Sequence, residues 1–320
     1  MRGTHLLRPR DRARSVRLRD SIIEYAANVG PLPGIEPDGH LNCLVAQLVD
    51  SLRRVEFAHS VRDGNHDPRR MEPGSGLFDP LKAAVLHNRR GNLDEAYWLV
   101  FLATHFGKHQ EDNWRLAEDV YGRLGQGGLW NWPNTSGGLP EFRAWVAQNE
   151  NTLRGGDGVR RRFSNHRKYE SLRADSAKGL PAVVESYVNW IRPPRSHQGV
   201  LRDAHQRVGQ HPRDTFAALY SDMDSVIRFG RLGKFDYLSM LGKLGIAPIE
   251  PDSAYLSQAT GPLRGARLLF EGGTGNSQGD RTLDERLHTL EAHMGVGMQV
   301  LEDAICNWQK RPGTHIHFRG

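Results

Sequence analysis

Apolar residues recur at three- and four-residue intervals along most of this chain, which is the spacing of one buried face of an α-helix. The pattern predicts helices over residues 21–29, 40–57, 78–88, 94–106, 114–124, 142–149, 179–191 and 283–307. No internal repeat, coiled coil or strand-rich section stands out. We therefore expect an all-α protein with one domain over 21–312, preceded by a basic arm over 1–20.

The stretch 216–270 has the most informative pattern. An apolar helical stripe over 216–227 is interrupted at Gly230 and Gly233, and a second stripe runs over 235–245. Glycine accepts positive φ and lets a backbone approach another surface closely. We therefore expect a hairpin between the two helices, with amides free to meet a phosphate.

Asp252 follows the segment Ile246-Ala-Pro-Ile-Glu-Pro, whose two prolines forbid a helix. Asp is a favoured N-cap residue, and Ser-Ala-Tyr-Leu after it favours the start of a new helix. Asp252 is then either a cap alone or a carboxylate held at a helix start for chemistry.

Composition sets the broad class. A chain of 320 residues, 38% hydrophobic and 25% charged, can bury a substantial core. Its apolar runs stay well short of about 18 residues, so we expect no membrane span. Cys43 and Cys306 lie beside apolar residues in predicted helices, and no secretory leader is visible. These features favour a cytoplasmic protein with two reduced thiols. The polar loop over 59–76 has no common metal-site spacing, so we assign no metal and no cofactor.

Positive charge is unevenly spread along the chain, whose net charge is +6. Residues 1–20 hold seven arginines against two aspartates, and this arm either has no role or lies along DNA phosphates. Residues 159–169 hold five cations with Phe163 and Tyr169 among them. A charge run is commonly a solvated face, but the interleaved aromatic side chains favour contact with nucleic acid.

Trp130 and Trp132 lie together in a glycine-containing loop. Such a pair forms either a stacking platform for a base or a hydrophobic plug that closes the core. The sequence leaves both alternatives open.

The order of helix, glycine hairpin, helix, proline turn and Asp resembles the core of the helix-hairpin-helix DNA glycosylase superfamily. In that superfamily the hairpin amides grip the DNA backbone, a Lys ends the hairpin in bifunctional members, and an essential Asp begins the next helix. Lys234 and Asp252 match those positions and lie 18 residues apart, which suits the superfamily's spacing. The two residues between Gly230 and Gly233 depart from the usual Gly-x-Gly.

A closer resemblance covers more of the chain. Four segments resemble the alpha-glutamyl/putrescinyl thymine pyrophosphorylase family, clade three: LVAQLVDSLRRVEF (44–57), GNLDEAYWLVFLATHFGK (91–108), FSNHRKYESL (163–172) and FGRLGKFDYLSMLGKLG (229–245). That group is associated with hypermodified bases of phage DNA. It is similar to bacterial anti-phage glycosylases that excise glucosylated hydroxymethylcytosine.

The resemblance implies a glycosylase-like fold of two helical lobes around a cleft, and it assigns roles to residues. Asp252 would stabilise the positive charge that forms on the sugar as the N-glycosidic bond breaks, once the base has been flipped out. Lys234 would either form a Schiff base or contact a phosphate. The DNA-binding candidates are Gly230, Arg231, Gly233, Arg228, Arg160, Arg161, Arg162, Arg167 and Lys168. The base-pocket candidates are Gln47, His105, Lys108, Asn165, His166 and Tyr169.

Three functions fit these expectations. The first is a monofunctional DNA glycosylase that acts as a monomer on modified double-stranded phage DNA. The second is a transferase in which an amine displaces pyrophosphate from an activated hydroxymethyluracil in DNA. The third is a non-catalytic DNA-binding protein.

Overall fold

The computed structural model describes residues 9–273, 275 and 277–317. Over these residues the protein consists of α-helices joined by turns and short 3-10 segments. The helices are α1 Arg12–Asn28, α2 His40–Asp63, α3 Pro80–Arg89, α4 Leu93–Phe106, α5 Arg115–Tyr121, α6 Trp132–Gly137, α7 Leu139–Leu153, α8 Leu180–Ile191, α9 His197–Val208, α10 Pro212–Asp222, α11 Arg231–Lys243, α12 Gly261–Glu271, α13 Asp280–Met294 and α14 Met298–Trp308. Extended pairing in the described residues is limited to two isolated bridges, so the predicted all-α class is confirmed. None of these helices is both long and apolar enough to cross a bilayer.

The chain forms two compact units, and the first comprises the described residues before 58 and after 250. Its core is a cluster of mainly aliphatic side chains from α1, α2, α12, α13 and α14, with Trp308 fully buried among them. α12 and α14 approach closely at Gly265, where a Cβ would lie 2.4 Å from the carbonyl oxygen of Ile305. A side chain at this position would push the two helices apart.

The second unit comprises residues 58–250 and is built around α4. Every residue of α4 from Glu95 to Ala103 is buried. A helix that is apolar all round belongs inside a core, as the wide apolar pattern of this segment predicts. The Phe101 ring stacks on Tyr187 of α8, with 3.9 Å between centroids, and on Phe229, with 4.9 Å.

A chain of hydrogen bonds, here called the Asp94–Tyr237 chain, crosses this core. The Asp94 carboxylate accepts from the backbone N–H of His197 at 2.8 Å and from its Nδ1 at 2.6 Å. The Nε2 of His197 lies 2.7 Å from the Tyr187 hydroxyl, which lies 2.8 Å from the Tyr237 hydroxyl. Because an ionised carboxylate can only accept, the His197 proton is on Nδ1. Nε2 then accepts from Tyr187, and Tyr187 accepts from Tyr237.

The tryptophan pair packs inside the same unit. Trp130 and Trp132 are 4% and 6% exposed. The Trp130 ring contacts Phe142 and Trp145, and the Trp132 ring contacts His197. The two tryptophans therefore close the core and do not offer a platform for a base.

The N-terminal arm is shorter than predicted. α1 begins at Arg12, so residues 12–20 are helical, and residues 1–8 lie outside the described part of the chain. Ion pairs from Arg14 to Glu56 and from Arg53 to Asp11 hold the start of α1 against α2. Local sequence does not reveal these partners, because each lies 42 residues away.

Two further segments differ from the helix prediction. The stretch 192–214, for which the sequence pattern predicts no helix, contains α9, whose few buried apolar residues, such as Val200 and Ala204, give a weak helical pattern. The predicted helix over 283–307 is two helices, because Gly295 and Gly297 adopt φ values of 61° and 88° and end α13.

The C-terminal tail packs on α2 within the first unit. The Ile316 carbonyl accepts from the Gln47 side chain at 2.9 Å. His315 and His317 each place a ring nitrogen 2.9 Å from the same oxygen of Asp50. Burial raises the pKa of Asp50, but these two hydrogen bonds outweigh it and hold the pKa at about 2.

Candidate nucleic-acid and base site

The turn between α10 and α11 lies upstream of the predicted hairpin. Gly230 is the N-cap of α11, which starts at Arg231. Gly233 and Lys234 therefore belong to the first turn of this helix and form no hairpin with Gly230. The first amides of any helix have no acceptor within the helix. The amides of residues 231–233 therefore have no acceptor within α11, and the predicted DNA contacts Arg231 and Gly233 are both buried.

Arg228 makes the chain reversal before α11. Its φ of 67° is left-handed. Its guanidinium donates to the Glu170 carboxylate at 2.9 Å and to the Tyr169 carbonyl at 2.8 Å. These contacts connect the turn to the segment 159–170 and use Arg228 as an internal partner.

Lys234 is buried, which corrects its predicted role. Its side chain is 3% exposed, its ammonium pairs with Asp224, and Nζ lies 3.8 Å from the centroid of the Tyr220 ring. Both contacts hold the amine inside the second unit. With its amine occupied by these contacts, Lys234 is not an exposed cation that can reach a phosphate.

Carboxylates neutralise most of the cations predicted to line DNA. The pairs are Arg161 with Asp119 and Asp157, Arg162 with Glu111 and Asp112, and Arg160 with Glu111. The Arg161 side chain is 3% exposed, whereas Arg160 is 76% exposed with its carboxylate 3.7 Å away. Arg160 and Lys168 therefore remain the accessible cations of this segment.

His105 ends α4 as a buried neutral imidazole. The ring is 1% exposed, lies parallel to Phe101 and meets Phe163 edge-on. Burial, together with the positive charges of Arg167 and Arg228, lowers the pKa of His105 to about 3. Among the described residues its Nε2 has no hydrogen-bond partner. A buried nitrogen in this state can bond to a water or to a ligand.

Arg167 connects the segment 159–170 to α11. Its guanidinium donates to the Asp236 carboxylate at 3.2 Å and lies 5.9 Å from the centroid of the Phe229 ring. A Cβ at Gly233 would fall 3.2 Å from its Nη1, so glycine leaves room for this side chain. The Arg167 side chain is 7% exposed and the Asp236 side chain is 42% exposed. Desolvation by the surrounding protein raises the pKa of Asp236, and the positive charge of Arg167 opposes that shift.

These side chains form what we call the His105–Asp236 site: His105, Phe163, Arg167, Phe229 and Asp236. The segment that carries two of them is fixed to α4, since the Ser164 amide donates to the Phe106 carbonyl at 2.9 Å. Gly107 permits this approach, because a Cβ there would fall 2.0 Å from Ser164 Oγ. Five predicted residues nearby in sequence are exposed, namely Lys108, Asn165, His166, Lys168 and Tyr169.

Asp252 belongs to the first unit, and the predicted helix does not start there. A 3-10 turn follows over Leu256–Gln258, and α12 begins only at Gly261. Asp284 of α13 accepts from the Leu256 amide at 3.0 Å, which is the kind of contact that was expected from Asp252 as an N-cap. Asp252 is half-buried, and its Oδ1 accepts from the Tyr255 hydroxyl at 2.6 Å.

Gln47 also belongs to the first unit and is 1% exposed. Its amide nitrogen is occupied by the tail, and within the described residues its Oε1 has no partner. The structure therefore groups most of the predicted residues in the second unit, while Gln47 and Asp252 lie in the first. No cluster of three or more His, Cys, Asp or Glu in the described ranges is arranged for a metal ion.

Asp236 is a site residue that the sequence pattern does not single out. It lies within the stripe that predicts core packing for α11, and its partner Arg167 is 69 residues away. The available signal is an isolated acid close to Lys234 in an otherwise basic segment. That signal is weak without the fold.

These features define a helical protein whose second unit presents an imidazole, a guanidinium and a carboxylate beside aromatic rings. The chain belongs to the alpha-glutamyl/putrescinyl thymine pyrophosphorylase clade 3 family, whose model matches residues 39–320. No curated protein and no solved structure matches the chain. The family resemblance inferred from the sequence is thus confirmed, and the family is consistent with a function in DNA modification.

Proposed function

We propose that this protein is a DNA glycosylase that flips out and excises a modified base and leaves an abasic site. The base is α-glucosylated 5-hydroxymethylcytosine or a related hypermodified pyrimidine of phage DNA. One observation carries the proposal: the His105–Asp236 site brings together three kinds of group that can recognise a polar base. The family match supports DNA as the partner.

The site offers hydrogen bonds of both kinds beside apolar rings. His105 is neutral, so Nε2 and the Arg167 guanidinium supply different contacts to a base edge. Tyr169 is 79% exposed and has an aromatic face on which a base can stack. Lys168 and Arg160 are the exposed cations that would contact phosphates.

Glycosidic bond cleavage needs a carboxylate, because positive charge builds on the sugar as the base leaves. Asp252 is the first candidate, from the resemblance to helix-hairpin-helix glycosylases. The Tyr255 hydroxyl donates to its Oδ1 and holds the carboxylate in place. Asp236 is the second, from geometry. Its accessible carboxylate beside Arg167 suits proton transfer to the leaving base or charge stabilisation.

The experiment compares ordinary DNA with hypermodified phage DNA. Purified protein is incubated with each, abasic sites are revealed by alkali, and released bases are identified by mass spectrometry. We expect strand breaks after alkali and free modified base only from the modified DNA. We expect the activity to fall at least about 100-fold in one of the two variants, Asp252→Asn or Asp236→Asn. The variant that shows this loss identifies the carboxylate that takes part in the reaction.

Asp175→Asn is the matched control, since Asp175 is 72% exposed and pairs with Arg173, two residues away. It should keep full activity. Thermal melting must show that the two test variants remain folded. Full activity in both test variants would overturn the assignment of the carboxylate, and absence of base release by the wild type would overturn the glycosylase.

A second candidate function is the transferase, favoured by the pyrophosphorylase in the family description. In that reaction an amine displaces pyrophosphate from an activated base in DNA, and the glycosidic bond stays intact. Incorporation of a labelled amine into DNA with release of pyrophosphate would select it. DNA binding with neither product would select a non-catalytic binding protein.

A further inference from the structure

A cleft of about 770 Å³ opens in the second unit between α8, α9 and the end of α10. It shares no lining residue with the His105–Asp236 site. Three arginines and two aspartates line it, together with the Asn189 amide and the Ser225 hydroxyl. Clefts of this volume suit a ligand of nucleotide size. The lining is mixed in charge, with one more cation than anion, and Trp190 and Val200 add apolar surface.

Two of the arginines are fixed by contacts that leave donors open. Arg195 donates to Asp203 at 2.7 Å and to the carbonyls of Trp190 and Ile191. Arg207 pairs with Asp222 through both terminal nitrogens, and its Nε donates to the Asp203 carbonyl. A guanidinium has five N–H groups, so about two on each arginine remain for a ligand. Because these contacts already hold both guanidinium planes in place, the two side chains lose little conformational freedom when an anion binds.

Arg192 differs from both. It is exposed and forms no ion pair within the described residues. It caps the end of α8 with a φ of 58°, and its amide donates to the Val188 carbonyl at 2.8 Å. Glycine adopts this left-handed conformation with less strain than arginine does. The position therefore carries a free cation where backbone geometry alone favours glycine.

We propose that this cleft binds a phosphate group, with Arg192 as the neutralising cation and Arg195 and Arg207 as hydrogen-bond donors. Planar guanidinium groups match the oxygens of a phosphate. The phosphate belongs either to the backbone of a nucleic acid or to a free anion such as pyrophosphate. The site is independent of which reaction the protein performs.

The test uses Arg192→Gly, with Arg192→Lys as the conservative variant and Arg202→Ala as the matched control. Arg202 is an exposed arginine of the neighbouring α9 that does not line the cleft. Binding of a labelled DNA duplex is measured by fluorescence anisotropy at several salt concentrations. Binding of pyrophosphate is measured by calorimetry, and each variant is melted.

If the phosphate is part of DNA, Arg192→Gly weakens duplex binding several-fold and lowers the slope of log affinity against log salt by about 1. Arg192→Lys restores most of the binding, and Arg202→Ala changes neither quantity. If the phosphate is free, only pyrophosphate binding falls in Arg192→Gly. The melting temperature of Arg192→Gly should equal or exceed that of the wild type, because glycine relieves the backbone.

The proposal is overturned if Arg192→Gly leaves the affinities for both ligands unchanged. It is also overturned if Arg192→Gly lowers the melting temperature and Arg192→Lys does not recover binding, since Arg192 would then be structural. Failure of base excision does not affect these measurements, so the two proposals can fail separately.

Discussion

The Asp94–Tyr237 chain and the His105–Asp236 site both contain polar groups of the second unit, and both meet the Phe101 ring. In the first, the buried ring nitrogens and hydroxyls of His197, Tyr187 and Tyr237 all have partners. In the second, a buried imidazole nitrogen lacks a partner in the described residues, and a carboxylate faces solvent. Burial is common to the two regions, and they differ in whether the buried polar atoms have hydrogen-bond partners.

The largest expected effect is on the satisfied chain. His197→Ala removes the partner of both Asp94 and Tyr187 and leaves a cavity, so we expect the free energy of unfolding to fall by about 3–4 kcal/mol. Urea denaturation followed by circular dichroism measures this change. A loss below about 1 kcal/mol would mean that the chain does not hold the core together.

Acid should weaken the fold through both imidazoles. Burial lowers the pKa of His197 despite the opposing hydrogen bond that its Nδ1 donates to Asp94, and burial lowers the pKa of His105 to about 3. Their neutral forms stabilise the fold fully above the unfolded pKa near 6.5, and this stability is lost as pH falls toward the folded pKa. For His105 we expect a loss of about 1.5 kcal/mol between pH 6.5 and 5, measured by urea denaturation at each pH. A flat profile over this range would contradict the burial of a neutral His105.

The smallest effect on stability, and the sharpest contrast, comes from His105→Phe. Phenylalanine keeps the ring contacts with Phe101 and removes a nitrogen that has no partner among the described residues, so the free energy of unfolding should stay equal or rise by up to about 1 kcal/mol. Base release from modified DNA should nevertheless fall, and the acid sensitivity due to His105 should disappear. If this variant is instead destabilised as much as His197→Ala, the two regions do not differ in kind.

The all-α class follows from periodicity, and the central place of α4 follows from an apolar pattern that has no polar face. His105 entered as a base-pocket candidate through the family resemblance, and its local sequence shows only a residue at a helix end. Two of its properties depend on the Phe163 and Phe229 rings, which lie far along the chain. These are the neutral state of its imidazole and the lack of a partner for Nε2 among the described residues. No local pattern contains that information.

The cations of 160–162 show a case in which the local pattern predicts the wrong environment. Their run predicts an exposed basic stripe, but Arg161 finds Asp119 at a separation of 42 residues, and Arg162 finds Asp112 at 50. Charge in a sequence is local, whereas neutralisation depends on tertiary proximity. The α10–α11 turn illustrates the same point, since the glycines predict a break and only the fold shows that Gly230 is the N-cap and that the helix starts directly after it.

The packed C-terminal tail limits how far the chain can be shortened without disturbing its interior. A chain shortened to residue 312 would keep Arg53 beside Asp50 but would remove both imidazoles from a carboxylate that is 3% exposed. It would also free the side-chain amide of Gln47. Trimming for crystallisation, or cleavage by a protease near this end, would therefore disturb the interior of the first unit even though only a few terminal residues are lost.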